Sequence, residues 1–354
     1  MKQGKDLETL AEEVLRQAKC KRDLVVPPLR MAHNTDGDGH SIMVIEGEAR
    51  PYDIGTVARR QLAKHLDIPL AYFDRMQREQ PLLLDHNVNT WLHADPQADS
   101  RLVRTMDHQL RAFLSTSYRR IENVDLMMAI LPELRSLAGC EIVSCDLTDT
   151  RLYLKAVSAK VSCEVGVGDV VQAGVVISNS EVGCGHLKVE ALVYRLKCLN
   201  GLILPDSGMR KMHVGARLES GDQIRELFQQ DTLAATDAAF FLQVRDVVRN
   251  AVSEANLRRY AAQMRQTSGV VIEGDVIRAV EVLANRFDIN HEERSGILRQ
   301  MVLGGDNTGY GLLNAVTAHA QEVQSYDRAT ELEQVGGLML GLNQKQWREI
   351  ATAH

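Results

Sequence analysis

No stretch of this chain approaches the roughly 18 unbroken apolar residues of a membrane-spanning helix, and no two cysteines form a CxxC hook. The first absence argues against a helical membrane protein. The opening MKQGKDLETLAEEVLRQAKCK is an amphipathic charged helix and not a signal peptide, so a cytoplasmic location is expected. The second absence leaves Cys20, Cys140, Cys145, Cys163, Cys184 and Cys198 as free, mostly buried thiols. Aromatic residues make up only 5%, which limits base stacking, and the net charge of −6 argues against the positive coat of a non-specific nucleic-acid binder. Nucleophile elbow, Walker loop, HExxH and dinucleotide fingerprint are all missing, so no reaction is spelled out and no cofactor is implied. GVGDVVQAG holds glycines but does not join a strand to a helix and lacks the phosphate-loop lysine.

What remains is ordinary globular material, 45% apolar and 25% charged. At 354 residues the chain exceeds the size at which single cores stop growing, so more than one domain is expected. The pattern predicts an α+β protein in three regions: mainly helical over 1–100, an antiparallel sheet over 101–218, and helical over 219–354. Leu7, Leu10, Val14 and Leu15 repeat at helical spacing. IGTVARRQLAKHLDIPLAYFDRMQRE reads as helix, break at Ile-Pro, helix. A DNA-reading second helix would present basic or amide side chains in its first turns, whereas Ala71, Tyr72 and Asp74 stand there, so a structural helical hairpin is expected. Asn123 is the expected cap of a helix with Pro132 near its end. CEIVSCDL, RLYLKAVSAKV, DVVQAGVVISNSE, HLKVEALVYRLKC, GLILP and KMHVGA, separated by Asp-Thr, Gly and Asn-Gly breaks, predict five or six antiparallel strands. Helices follow from Ser220, with a break expected between Asp231 and Thr236.

Three groups of residues invite a metal. His33, Asp36, Asp38 and His40 share one segment, although an Asp-Gly hairpin turn explains it as well. Zinc needs three or four nitrogen or sulfur ligands on tight hooks, whereas Cys184 and His186 would have to recruit Cys163, Cys198 and His213 from separate strands. Asp146, Asp149 and Glu190 could form a two-metal nuclease site, but their spacing is also that of ordinary strand-end acids. No metal site is expected.

Charge distribution is more informative. Residues 101–217 carry 15 Lys and Arg against 12 Asp and Glu, so the positive charge lies mid-chain. Arg195, Lys197, Arg210, Lys211 and Arg217 fall within a few residues of two turns, and Arg111 and the pair Arg119 and Arg120 lie near another strand end. Gathered on one sheet edge, these eight cations would track a phosphate backbone, with Tyr118 or Tyr194 offering a base a stacking surface. The competing reading is a sheet edge neutralised by its own carboxylates.

RAFLSTSYRRIENVDLM, VYRLKCLNGLILPDSGMRKMHVGAR and TGYGLLNAVTAHA, in that order, resemble the phage and plasmid family catalogued as domain of unknown function 932. The resemblance rests on Arg111–Tyr118, Cys198–Gly201, Arg210–His213 and Asn314–Thr317 and covers roughly residues 55–320. That family has no established reaction. Its mobile-element setting implies DNA metabolism, and its sheet-plus-helix core is similar to single-strand annealing proteins. The expectation is a non-catalytic phage or plasmid protein that binds nucleic acid, single-stranded DNA in particular, as a homo-oligomer. Two alternatives stand beside it: a protein-interaction or assembly module of a mobile element or defence system, whose acidic helical part meets a partner, and a metal-dependent nuclease.

Overall fold

The computed structural model describes residues 1–118, 120–205 and 230–353, the last stretch with side chains from residue 239. The chain begins with α1 (Leu7–Cys20), where Asp6 caps the helix by accepting from Thr9 N at 2.8 Å. Strands β1 (Lys21–Val26), β2 (Met31–Thr35), β3 (Ser41–Ile45) and β4 (Tyr52–Ile54) follow. Next come α2 (Thr56–His65), α3 (Leu70–Glu79) and α4 (Pro81–Leu92), then β5 (Arg101–Met106) and β6 (Gln109–Ser115). The six strands form one sheet in the order β1-β5-β6-β4-β3-β2, antiparallel except for β4 beside β6. This sheet reaches past residue 100, because β5 pairs with β1 residue by residue from Lys21↔Met106 to Val26↔Arg101. The region expected to be mainly helical therefore carries four strands of its own.

Helices α2 to α4 cover one face of that sheet, burying Leu62, Phe73, Leu84 and Val88 against Met43 and Val103. The helical hairpin expected from Ile54 onward is structural: Pro69 precedes α3, and Phe73 and Met76 point into the core. Full burial of each such side chain contributes about 1.5–3 kcal/mol.

The second sheet begins after α5 (Asn123–Ser136). Strands β7 (Cys140–Leu147), β8 (Leu152–Gly166), β9 (Asp169–Asn179), β10 (Lys188–Arg195) and β11 (Asn200–Leu204) form an antiparallel meander in the order β11-β10-β9-β8-β7. The KMHVGA segment lies outside the described residues. The α+β class with helices at both ends is as expected, with the strands divided between two sheets. Seven helices close the chain: α6 (Gln230–Ala251), α7 (Glu254–Ser268), α8 (Val276–Phe287), α9 (His291–Gly304), α10 (Gly309–His319), α11 (Tyr326–Leu340) and α12 (Gln344–Ala351). The break expected between Asp231 and Thr236 falls instead after Ala251, where Ser253 caps α7. Asn290 with Glu293, and Asn343 with Gln346, form capping boxes that set the starts of α9 and α12.

Two devices position these layers. Helix α4 lies along the outer edge of β2, and two of its side chains, with His93 at its C-cap, take the backbone bonds that a further strand would make. Asp85 Oδ2 accepts from Thr35 N at 3.1 Å, Asn89 both accepts from His33 N at 2.7 Å and donates to His33 O at 2.8 Å, and His93 Nε2 donates to Met31 O at 2.7 Å. The second device is a polar row across the other sheet. The register places Ser144, Lys155, Val176 and Glu190 side by side on one face. Helix α11 crosses that row. Tyr326 Oη meets Ser144 Oγ at 2.6 Å, Glu333 Oε2 meets Lys155 Nζ at 2.6 Å, and Gln334 Nε2 donates to Glu190 Oε2 at 2.9 Å. Lys155 and Glu333 are both fully buried.

Candidate functional site

Of the eight cations expected to share one edge, Arg119, Arg210, Lys211 and Arg217 lie outside the described residues. The other four are divided between the sheets. Arg111 is on β6 and Arg120 follows it, whereas Arg195 ends β10 and Lys197 lies in the turn to β11. Arg120 Nη1 donates to Asp23 Oδ2 at 2.9 Å. Arg195 makes a two-pronged contact with Asp169, Nε to Oδ1 at 2.6 Å and Nη2 to Oδ2 at 2.8 Å, with its guanidinium 5.2 Å from the Tyr310 ring centre. Tyr310 Oη donates to the same carboxylate at 2.7 Å. Burial pushes the Asp169 carboxyl up, but Arg195 and Tyr310 outweigh it and hold the group below its usual range. A phosphate approaching Arg195 would have to displace that carboxylate. Lys197 is exposed.

The junction between the sheets holds a network centred on a residue that the sequence pattern did not single out. Arg104 is 4% exposed; its Nε donates to Asp23 Oδ1 at 2.8 Å, its Nη2 to Glu122 Oε1 at 2.6 Å and its Nη1 to Glu181 O at 2.8 Å. Lys21 bonds Glu122 and also Glu181 Oε1, the latter at 3.0 Å. Burial raises the Glu122 carboxyl, but Arg104 and Lys21 outweigh it and bring it below its ordinary range. Glu181 Oε1 also accepts from Asn123 N at 2.7 Å, which satisfies the first turn of α5. Asn123 is thus the first residue of that helix and not its cap; Glu122 holds the cap position, and the Asn123 side chain accepts from Asn179 at 2.8 Å.

Arg111 stands at the margin of this network, with Nη1 3.8 Å from Glu181 Oε2. Burial lowers the pKa of its guanidinium against the opposing pull of Glu181. It lines a cleft of about 430 Å³ together with Lys5, Gln109, Asp149 and the start of α2 at Gly55, Thr56 and Val57. Gly55 offers no side chain to cap that helix, so its partial positive charge adds to that of Arg111, whereas Lys5 is already bound to Asp146 at 2.9 Å. Opposing it are exposed Asp149 and half-buried Glu13, the latter already held by Arg16 and Gln17. The arrangement can accept an anion without first breaking a two-pronged ion pair.

The motif residues have structural partners. Tyr118 Oη donates to Ser180 O at 2.7 Å and so is tied to the loop after β9, leaving Tyr194, half-buried, as the more open aromatic. Asn200 Nδ2 donates to Thr317 Oγ1 at 2.7 Å, so the Cys198–Gly201 and Asn314–Thr317 segments lock the last hairpin onto α10.

Neither a family model, a curated protein nor a solved structure matches this chain.

Among the described residues, one group of three or more metal-type side chains converges: Asp36, Asp38 and His40, with ligand atoms within 4.8 Å of one another. Asp36 Oδ1 already accepts from Asp38 N at 3.0 Å and His40 N at 2.8 Å, which is the hairpin-turn reading. His33 belongs to the core instead, with Nδ1 donating to Asp85 Oδ1 at 2.9 Å. Cys184, His186, Cys163 and Cys198 do not converge, and His213 lies outside the described residues. Asp146 is bound to Lys5 at 2.9 Å and Glu190 to Gln334, so Asp146, Asp149 and Glu190 are not gathered into a two-metal site either.

Proposed function

We propose that this chain is a non-catalytic nucleic-acid-binding protein of a phage or plasmid, with single-stranded DNA as its ligand, as the resemblance to the domain of unknown function 932 family implies. The observation that carries the reading is the Arg111 cleft, where a desolvated guanidinium, 3.8 Å from its nearest carboxylate among the described residues, lies beside an uncapped helix start. Among the described cations, Arg111 and Lys197 are the contacts to test, because Arg120 and Arg195 are engaged at 2.9 Å and 2.6 Å.

The test is filter binding of single- and double-stranded oligonucleotides at two salt concentrations, with wild type, Arg111→Gln and Lys197→Gln. Removing one cation that touches a phosphate should flatten the logarithmic salt slope by about 0.7 for a single strand. Absence of binding at low salt, or an affinity indifferent to salt, refutes the reading.

The same ion pairs favour a second reading, a homo-oligomeric assembly module whose cations serve its own fold. Arg104, Arg120 and Arg195 all bind carboxylates of this chain. Light scattering that finds a defined oligomer in a protein without oligonucleotide affinity would select it.

A further inference from the structure

We propose that the Lys155–Glu333 pair is a register key, which selects the turn of α11 that lies over β8. The pair is fully buried, and its remaining polar atoms are poorly served. Glu333 Oε1 and, three residues earlier on the helix, Thr330 Oγ1 are buried without a hydrogen-bond partner. Taking both charges out of water costs about as much as their attraction returns, so a pair left in this state is poorly explained as a source of stability.

The surroundings pose a problem of choice. Beside Lys155 the same face of the sheet is apolar at Val157, Val176, Leu192 and Ile203, with Met1 packed on part of it. Such a surface accepts a helix in more than one seat, since apolar contact has no direction. A slip by one helical turn brings Ala329, Thr330, Gly336 or Gly337 toward Lys155. None of these carries a charge, so every slipped seat strands a buried ammonium, and a buried carboxylate as well. Tyr326 on Ser144 and Gln334 on Glu190 match in this same seat. The cationic side of the key is also shaped, because Lys155 Nζ lies 4.6 Å from the centre of the Tyr326 ring. Gly336 and Gly337, which permit the close approach to β11, are kept in every variant, so the comparison asks whether they hold the seat without the pair.

The experiment compares wild type with the double variant Lys155→Met, Glu333→Leu and with the exchanged pair Lys155→Glu, Glu333→Lys. The readouts are thermal unfolding, the amide nitrogen–proton spectrum and hydrogen exchange of α11. The double variant should fold and melt at or above the wild-type temperature, yet give doubled or broadened α11 resonances and amides that exchange about tenfold faster or more. The exchanged pair should return a single set. A double variant with one sharp set and native protection overturns the proposal, because apolar packing and the glycines then suffice. A double variant that cannot fold overturns it too, since the pair would then be a stabiliser, and so does an exchanged pair that folds into several seats.

Discussion

Replacing Arg104 by methionine is the sharpest test of the junction between the sheets. The side chain is 4% exposed and spends its guanidinium on Asp23 at 2.8 Å, Glu122 at 2.6 Å and the carbonyl of Glu181 at 2.8 Å. Methionine preserves much of the volume, so the loss is electrostatic. Breaking a buried ion pair by removing one partner costs about 3–5 kcal/mol. Asp23 keeps Arg120 and Glu122 keeps Lys21, which points to the lower end, about 3 kcal/mol. Arg120→Met makes the control. That side chain is 30% exposed with a single carboxylate contact, and such pairs are worth about 0.2–1 kcal/mol. Urea unfolding at neutral pH should lower the midpoint strongly for Arg104→Met and slightly for Arg120→Met, with the slope unchanged in both. Adding Glu122→Gln to Arg104→Met should cost less than the sum of the two single changes, because the Arg104–Glu122 contact is already gone. Acid unfolding gives an independent check. With Arg104 present, the Glu122 carboxyl is held below its usual value, so its contribution is complete above the unfolded pKa of about 4.3 and disappears as pH falls through the folded one. In Arg104→Met that acid-sensitive component should shrink. A loss below about 1 kcal/mol, or equal losses for the two arginines, would refute the network as described.

Two further outcomes are open to direct measurement. A Cβ on Gly337 would stand 1.8 Å from Ile203 O, so Gly337→Ala must lift α11 off β11 and should cost about 1–3 kcal/mol, whereas Gly304→Ala, with nothing within 4 Å, should be neutral or stabilising by about 0.5–1 kcal/mol; equal melting temperatures for the two would contradict the close approach. Burial lowers the pKa of His33 against the pull of Asp85, so the neutral ring favours the folded state above pH about 6.5 and this contribution is lost as pH falls; melting between pH 8 and 5.5 should be steeper for wild type than for His33→Asn, and parallel curves would refute it.

Much of the architecture was legible because it is written in local periods. The meander of β7 to β11 could be read from alternation broken by turn residues, and α2 and α3 from 3.6-residue spacing around Ile68 and Pro69. The first sheet was harder to read. Its β5 and β6 were recognised as strands, but nothing local says that β5 pairs with β1, some 80 residues earlier, and β6 with β4, and not with the strands that follow. The same limit applied to the site. Arg104 and Lys155 each interrupt an apolar strand, a visible oddity, yet their carboxylate partners at Asp23 and Glu333 lie 81 and 178 residues away. Periodicity assigns a side chain to a face; it does not say which carboxylate waits there. A count of cations therefore overstates the charge available to a ligand wherever the fold supplies its own anions, as it does for Arg120 and Arg195.

The contact between α4 and β2 has a geometric consequence. Asp85, Asn89 and His93 advance by four helical residues, about 6.0 Å per step, while Thr35, His33 and Met31 retreat by two strand residues, about 6.7 Å per step. The two rulers disagree by less than an ångström each time, so a helix can counterfeit a neighbouring strand for three rungs before the mismatch outgrows a hydrogen bond. Inserting one residue after Asp85 would turn the later rungs away by about 100°, and the bared ribbon would then be available to any other chain with a strand to offer.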